Sequence, residues 1–159
     1  MERDVETSPV GHARPQPPRP IRVSVTTRPH VPSAVYSICY LPQLMLLDIK
    51  WFGRFDRDAV SDYALAVKYE FLRNNIRSGY LLRMDMLESG AQTDDALPAF
   101  RRSFKWFPKA HRIAIVTGDL LTQQQVKQDM RQSSLRFFDY PEPALRWLAE
   151  DMLEFVEAV

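Results

Sequence analysis

Cysteine is nearly absent from this chain: Cys39 stands alone among 159 residues. No internal disulfide can form, and a metal site built from thiolates lacks its ligands. Cys39 alternates within an apparent strand, and no cation or helix start lies beside it in sequence. It therefore reads as a buried, inert thiol. Glycine is scarce as well, with five residues. A single one, Gly118, falls in the Thr117-Gly118-Asp119 corner, which is far short of a phosphate-cradling loop, and Asp119 would repel a phosphate there. Histidine is limited to His12, His30 and His111. The first two lie in the N-terminal segment, so His111 stands without a positioned serine, cysteine or second ligand. Charge of one sign is also lacking: the net charge is +1, which gives no bulk reason to expect nucleic acid. No run approaches the roughly 18 apolar residues of a membrane span, and the N-terminus has no apolar signal core. These absences predict a cytoplasmic protein that is neither an enzyme nor an integral membrane protein, with no cofactor and no metal.

What is present is an ordinary globular composition, 45% hydrophobic and 26% charged, long enough for one domain with a real core. The prolines are not evenly spread. Seven of the 12 fall in residues 1–33, a segment that cannot bury enough apolar surface to offset the entropy of ordering it. Residues 1–33 are therefore predicted to be a disordered, proline-rich tail. Pro15–Pro20 could form a polyproline II segment, and Ile21-Arg22-Val23-Ser24-Val25 could form a short extra strand. The domain is predicted over 34–159.

Within that domain, 35–41 alternates as a strand, and a two-residue Pro42-Gln43 connection leads to a second strand over 44–52 that pairs with it antiparallel. Asp56 is a good N-cap for a helix whose stripe is Val60, Tyr63, Ala64, Val67 and Phe71. A mostly apolar strand over 80–87 follows, as expected for burial on both faces. A polar loop then leads to a helix over 96–107, stopped by Pro108. The strand 112–117 has four apolar residues in a row. Asp119 caps a helix over 120–131 whose apolar stripe is thin: Leu121, Val126 and Met130. A short strand over 135–138 and a helix opening at Pro141 close the chain, the last with a stripe of Leu145, Leu148, Met152 and Phe155. The order β-β-α-β-α-β-α-β-α calls for right-handed crossovers and a mixed, mostly parallel α/β sheet of about five strands, with an N-terminal antiparallel hairpin and four helices.

Three groups of side chains are candidates for function. Asp85, Glu88, Asp94 and Asp95 are oxygen donors of the kind that hold Mg²⁺, although helix capping accounts for Asp94 or Asp95 more simply. Arg101, Arg102 and Lys105 form a basic band interleaved with Phe100, Phe104, Trp106 and Phe107. At helical spacing Phe100, Phe104 and Phe107 share a face and belong to the core, leaving the cations solvated. They are available there for an acidic partner or a lipid headgroup. Ser89 and Thr93 lie in the loop before that helix.

Four stretches resemble the STAS superfamily, in particular its SpoIIAA-like branch. They are Leu47-Asp48-Ile49-Lys50-Trp51-Phe52-Gly53-Arg54-Phe55-Asp56; residues 81–85; Arg112-Ile113-Ala114-Ile115-Val116-Thr117; and Leu135-Arg136-Phe137-Phe138-Asp139 leading into Ala144-Leu145-Arg146-Trp147-Leu148. The resemblance implies a SpoIIAA/STAS-like fold and a non-catalytic regulatory module that binds a protein partner. In anti-sigma-factor antagonists a serine after the third strand is phosphorylated to control that binding. Ser89 takes the corresponding place here as a phosphosite, with Thr93 nearby, although Glu88-Ser89-Gly90 keeps only a fragment of the Asp-Ser-Ser/Thr-Gly signature. The partner-binding surface is then expected to include Ser89, Thr93, Arg101, Arg102 and Lys105. The alternative is a small apolar ligand or lipid-binding domain of the CRAL-TRIO-like kind, with a pocket lined by Phe104, Phe107 and Trp147; an enzyme of unknown class ranks behind both. A homodimer is compatible with either reading.

Overall fold

The structure, a computed structural model, describes residues 35–130 and 134–157, with side chains as far as Asp151. The expected tail, the 21–25 strand, and the side chains of Met152 and Phe155 lie outside the described residues. The elements are β1 (Tyr36–Leu41), β2 (Leu46–Trp51), α1 (Arg57–Arg73), β3 (Leu81–Asp85), α2 (Ala96–Phe104), β4 (Arg112–Val116), α3 (Leu120–Asp129), β5 (Leu135–Phe138) and α4 (Pro141–Glu157). The sheet runs β1-β2-β3-β4-β5, with β1 antiparallel to β2 and every later pair parallel. This is the expected mixed α/β architecture.

Local chemistry accounts for most boundaries. The Asp56 carboxylate accepts from Ala59 N at 2.8 Å and starts α1. Asp119 does the same for α3, accepting from Thr122 N at 2.8 Å and from the Thr122 hydroxyl at 2.6 Å. The Thr122 contacts hold its carboxyl below the usual carboxylate range. Asp95, one of the two acids expected to cap α2, occupies its N-cap position but makes no side-chain capping bond. The β1–β2 connection is longer than two residues: Pro42–Leu44 form a 3-10 turn and Met45 adopts φ 47°. That left-handed residue breaks the strand alternation, so Met45 is exposed rather than aligned with Leu47, Ile49 and Trp51. Helix α2 stops at Phe104, short of the position where Pro108 would end it.

Strand alternation divides the core into two layers. Leu47, Ile49, Leu82, Met84, Ile113 and Ile115 face α1, α2 and Val126 of α3. Leu46, Leu81, Ala114 and Val116 face Ala144, Trp147 and Leu148 of α4. The three crossover helices share one face because every crossover steps in the same direction along the sheet, so a common hand puts them on a common side. Helix α4 follows the last strand, is not a crossover, and is free to cover the opposite face. Cys39 is half-buried rather than fully buried. Burial pushes its thiol pKa up, with the Asp48 and Glu70 carboxylates adding to the rise, which keeps it protonated as an inert thiol requires. Among the described residues, no helix is long and apolar enough to cross a membrane.

Candidate functional site, a cavity beneath the second helix

Helix α2 sits between α1 and α3 but is joined to them differently. Against α1 the contact is aromatic. Phe100 meets Tyr63 edge-on with centroids 6.0 Å apart, Phe104 lies 5.3 Å from Tyr63, and Phe107, just past the helix, stacks on Phe71 at 5.4 Å; Phe100 also stacks on Trp51 of β2 at 5.1 Å. Such pairs contribute both area and about 0.5–1.5 kcal/mol each beyond area. Against α3 the contact is polar. Arg101 pairs with Asp129. In the approach to α2, Gln92 N donates to Gln125 Oε1 at 2.9 Å, and Gln125 Nε2 donates back to Gln92 O at 2.9 Å.

The composition of α3 explains the difference. Of its ten residues, Leu-Leu-Thr-Gln-Gln-Gln-Val-Lys-Gln-Asp, Thr122 and Val126 are the buried ones. Leu120 and Leu121 are exposed. Val126, with Met130 just beyond the helix, is too little hydrocarbon to fill the space over β3 and β4. A cavity of about 460 Å³ remains beneath α2, floored by sheet residues including Ile49, Trp51, Leu82 and Met84 and walled by Tyr63, Phe71, Phe100, Phe104 and Phe107. Its rim carries Arg101, Lys105, Gln125 and Asp129. That volume lies within the range of about 300–1,000 Å³ for small-molecule sites, and an apolar wall with a few polar rim groups is their usual chemistry.

The polar groups around the cavity are mostly engaged. Gln92 Oε1 accepts from Phe55 N at 2.8 Å, and the Tyr80 hydroxyl donates to Pro108 O at 3.2 Å. Burial pushes the Tyr80 hydroxyl pKa up to about 12 and raises that of Tyr63 further still, so both stay neutral. The Trp51 indole N–H tempers the rise at Tyr63. It nevertheless reaches hydrogen-bond geometry with no acceptor among the described residues.

The expected site residues are distributed as follows. Phe104 and Phe107 line the cavity. Trp147 does not: it packs on Phe138 at 5.7 Å, in the layer on the other side of the sheet. The expected pocket shared between α2 and α4 is therefore corrected, because the sheet lies between those helices. Arg101, Arg102 and Lys105 are exposed. Arg101 is engaged by Asp129, and Lys105 lies 5.2 Å over the Trp106 ring. Ser89 is 7% exposed. Its hydroxyl donates to Met86 O at 3.2 Å and Gly90 O at 3.3 Å, so a phosphoryl donor would reach it only if the turn opened. Thr93 is half-buried. The acids near β3 are occupied separately, Asp85 Oδ1 by Leu87 N at 3.1 Å and Glu88 by Lys50 at 2.9 Å. Sequence reasoning missed Trp51, Tyr63, Gln92 and Gln125 as parts of the site. Its one available signal was the thin apolar stripe of α3.

A second surface feature lies along the carboxyl ends of the parallel strands. Phe52 follows β2, Leu87 follows β3, and Leu120 with Leu121 follows β4; all four are exposed, Leu120 by 73%.

Comparison with known proteins agrees with the fold. A crystal structure described as an uncharacterized protein from the DUF3478 family with a SpoIIAA-like fold, from Shewanella loihica PV-4, superposes with a TM-score of 0.55. It is 16% identical, and the match covers 72% of this chain and 94% of that one. No protein-family profile and no curated protein matches the sequence.

Proposed function

We propose that this SpoIIAA-like domain is a non-catalytic binding module whose ligand is a small apolar molecule held beneath α2. The observation that carries this reading is the cavity of about 460 Å³, walled by aromatic and aliphatic side chains. A close-packed interior leaves few voids larger than a water molecule. A space of this size over the centre of a sheet forfeits contacts that filling it would restore. The reading is non-catalytic because the walls are hydrocarbon and aromatic, and most rim polar groups are engaged: Arg101 pairs with Asp129, and the Gln125 amide bonds the Gln92 backbone. The environment-sensitive dye Nile red should bind with one-site saturation and brighten, and Val126→Phe, which projects a ring into the space, should abolish the signal. Unsaturable binding, or binding unchanged in a folded Val126→Phe protein, would overturn the reading.

A second reading, a regulatory module that docks a protein partner, is favoured by Phe52, Leu87, Leu120 and Leu121 along the carboxyl edge. Exposed apolar groups gathered on one edge are typical of interaction surfaces. On this reading a protein that co-purifies with the chain from its native cell should be lost from the Leu120→Asp, Leu121→Asp double variant while the melting temperature stays unchanged. Equal recovery from both chains sinks it.

A further inference from the structure

The cavity has a charged mouth. Arg101, Lys105 and Asp129 are the charged residues of its lining, two cations against one carboxylate, a net charge of +1. Arg101 and Asp129 pair with each other. The charge left over is the Lys105 ammonium, which forms no salt bridge among the described residues. Its contact is with the Trp106 ring, 5.2 Å from the centroid, and that ring is itself 83% exposed. Such a contact leaves most of the ammonium in water, open to an anion. The fold sets its position. Lys105 is the C-cap of α2, between Phe104 and Phe107, whose rings wall the cavity. The lysine stem covers apolar surface there while its head stays at the opening.

We infer that the ligand is a single-chain amphiphile with an anionic head, of the fatty-acid kind, its hydrocarbon tail beneath α2 and its carboxylate at the mouth beside Lys105. The inference rests on the pocket reading above and adds to it the head group and the residue that holds it. The interior is hydrocarbon and rings, with Gln92 Oε1 committed to Phe55 N and the Tyr80 hydroxyl to Pro108 O. A charge placed there would lose its hydration without gaining a partner. At the mouth a carboxylate keeps much of its water and gains a cation, so the tail is buried without burying the charge. A cationic head on the same tail would meet a lining of its own sign. The volume of about 460 Å³ lies toward the lower end of the range of about 300–1,000 Å³. It suits one chain and not the two of a membrane lipid.

The test compares decanoate with decyltrimethylammonium on the full chain by titration calorimetry at about pH 8, where the carboxylate is ionised. The two probes share a tail and differ in the sign of the head. Decanoate is expected to bind about fivefold more tightly, the scale of one exposed ion pair. That preference should fade in about 1 M salt, where the screening length falls to about 3 Å. Lys105→Glu should abolish or reverse it. Arg102→Glu makes the same change of charge on the same helix but outside the lining, and should retain most of it. Both residues are exposed, so both variants are expected to fold, which an unchanged melting temperature checks. The wild-type preference and its salt dependence test the proposal even if a variant does not fold. Equal affinities for the two probes, a preference that survives in folded Lys105→Glu, or one that Arg102→Glu removes equally, overturn the head-group assignment and leave the pocket reading standing. Failure of both probes to bind overturns the pocket reading and the head-group assignment with it.

Discussion

The two faces of the sheet are closed by different means. On the α4 face, arginines do the closing. Arg83 makes a two-point pair with Asp48 at 2.8 and 2.7 Å and reaches Pro141 O at 3.2 Å, tying β2, β3 and the start of α4 together. Arg112 donates to Trp147 O and to Asp151, each at 2.7 Å, and lies 5.2 Å over the Trp147 ring, fixing β4 to the later turns of α4. Planar guanidinium groups suit this work, since one fork satisfies several acceptors and also stacks on an aromatic ring. Beneath them small residues are packed tightly beside the Trp147–Phe138 pair: Ala114, Val116 and Ala144 are each 0% exposed. On the opposite face large rings do the filling, Trp51, Phe55, Tyr63, Phe71 and Phe100 among them. Rings pack in discrete orientations and do not flow into gaps. With α3 offering only Val126 and Met130, a void is left. The comparison teaches that a helix braced by directed polar bonds can close tightly over small side chains. A helix held by rings on one flank and a few surface polar contacts on the other leaves room for a guest.

Paired truncations should break or sharpen that contrast most visibly. Leu148, 1% exposed under α4, and Leu82, 6% exposed at the cavity, allow the same chemical change on both faces. Leu148→Ala is expected to cost about 4 kcal/mol and Leu82→Ala about 2 kcal/mol, because a side chain beside an existing void has fewer contacts to lose. Urea unfolding of the two variants measures this, and equal losses would mean the faces are packed alike. Enlargements should give effects of opposite sign on the two faces. Ala114→Leu is expected to destabilise by about 2 kcal/mol through overpacking. Val126→Phe is expected to stabilise by about 1 kcal/mol through cavity filling. A destabilised Val126→Phe would show that the space beneath α2 is too small or misshapen to accept a ring.

Much of the architecture was legible in the chain. The order of elements, the antiparallel start, the Asp56 and Asp119 caps, and the β5–α4 ending with its buried Leu148 all follow from local periodicity and capping chemistry. Those signals are written in neighbouring residues and survive folding. The site was much less legible. Phe104 and Phe107 were identified as inward-facing by their spacing, but Trp147 was grouped with them because an apolar stripe tells which side of a helix is buried and not against what. Ser89 stood in a polar loop, and nothing in Glu88-Ser89-Gly90 announces that its hydroxyl will turn inward to Met86 O and Gly90 O.

By itself, then, the sequence determined the class of fold, the scarcity of chemistry-bearing clusters, and the thinness of the α3 stripe from which the cavity follows. Tertiary structure decided which helices share a face, that Trp51 is pinned among rings, and that the space beneath α2 stays open. The division has a physical reason. Periodicity and capping depend on residues within a turn or two of each other. A cavity is instead a mismatch between surfaces that meet only when distant segments pack.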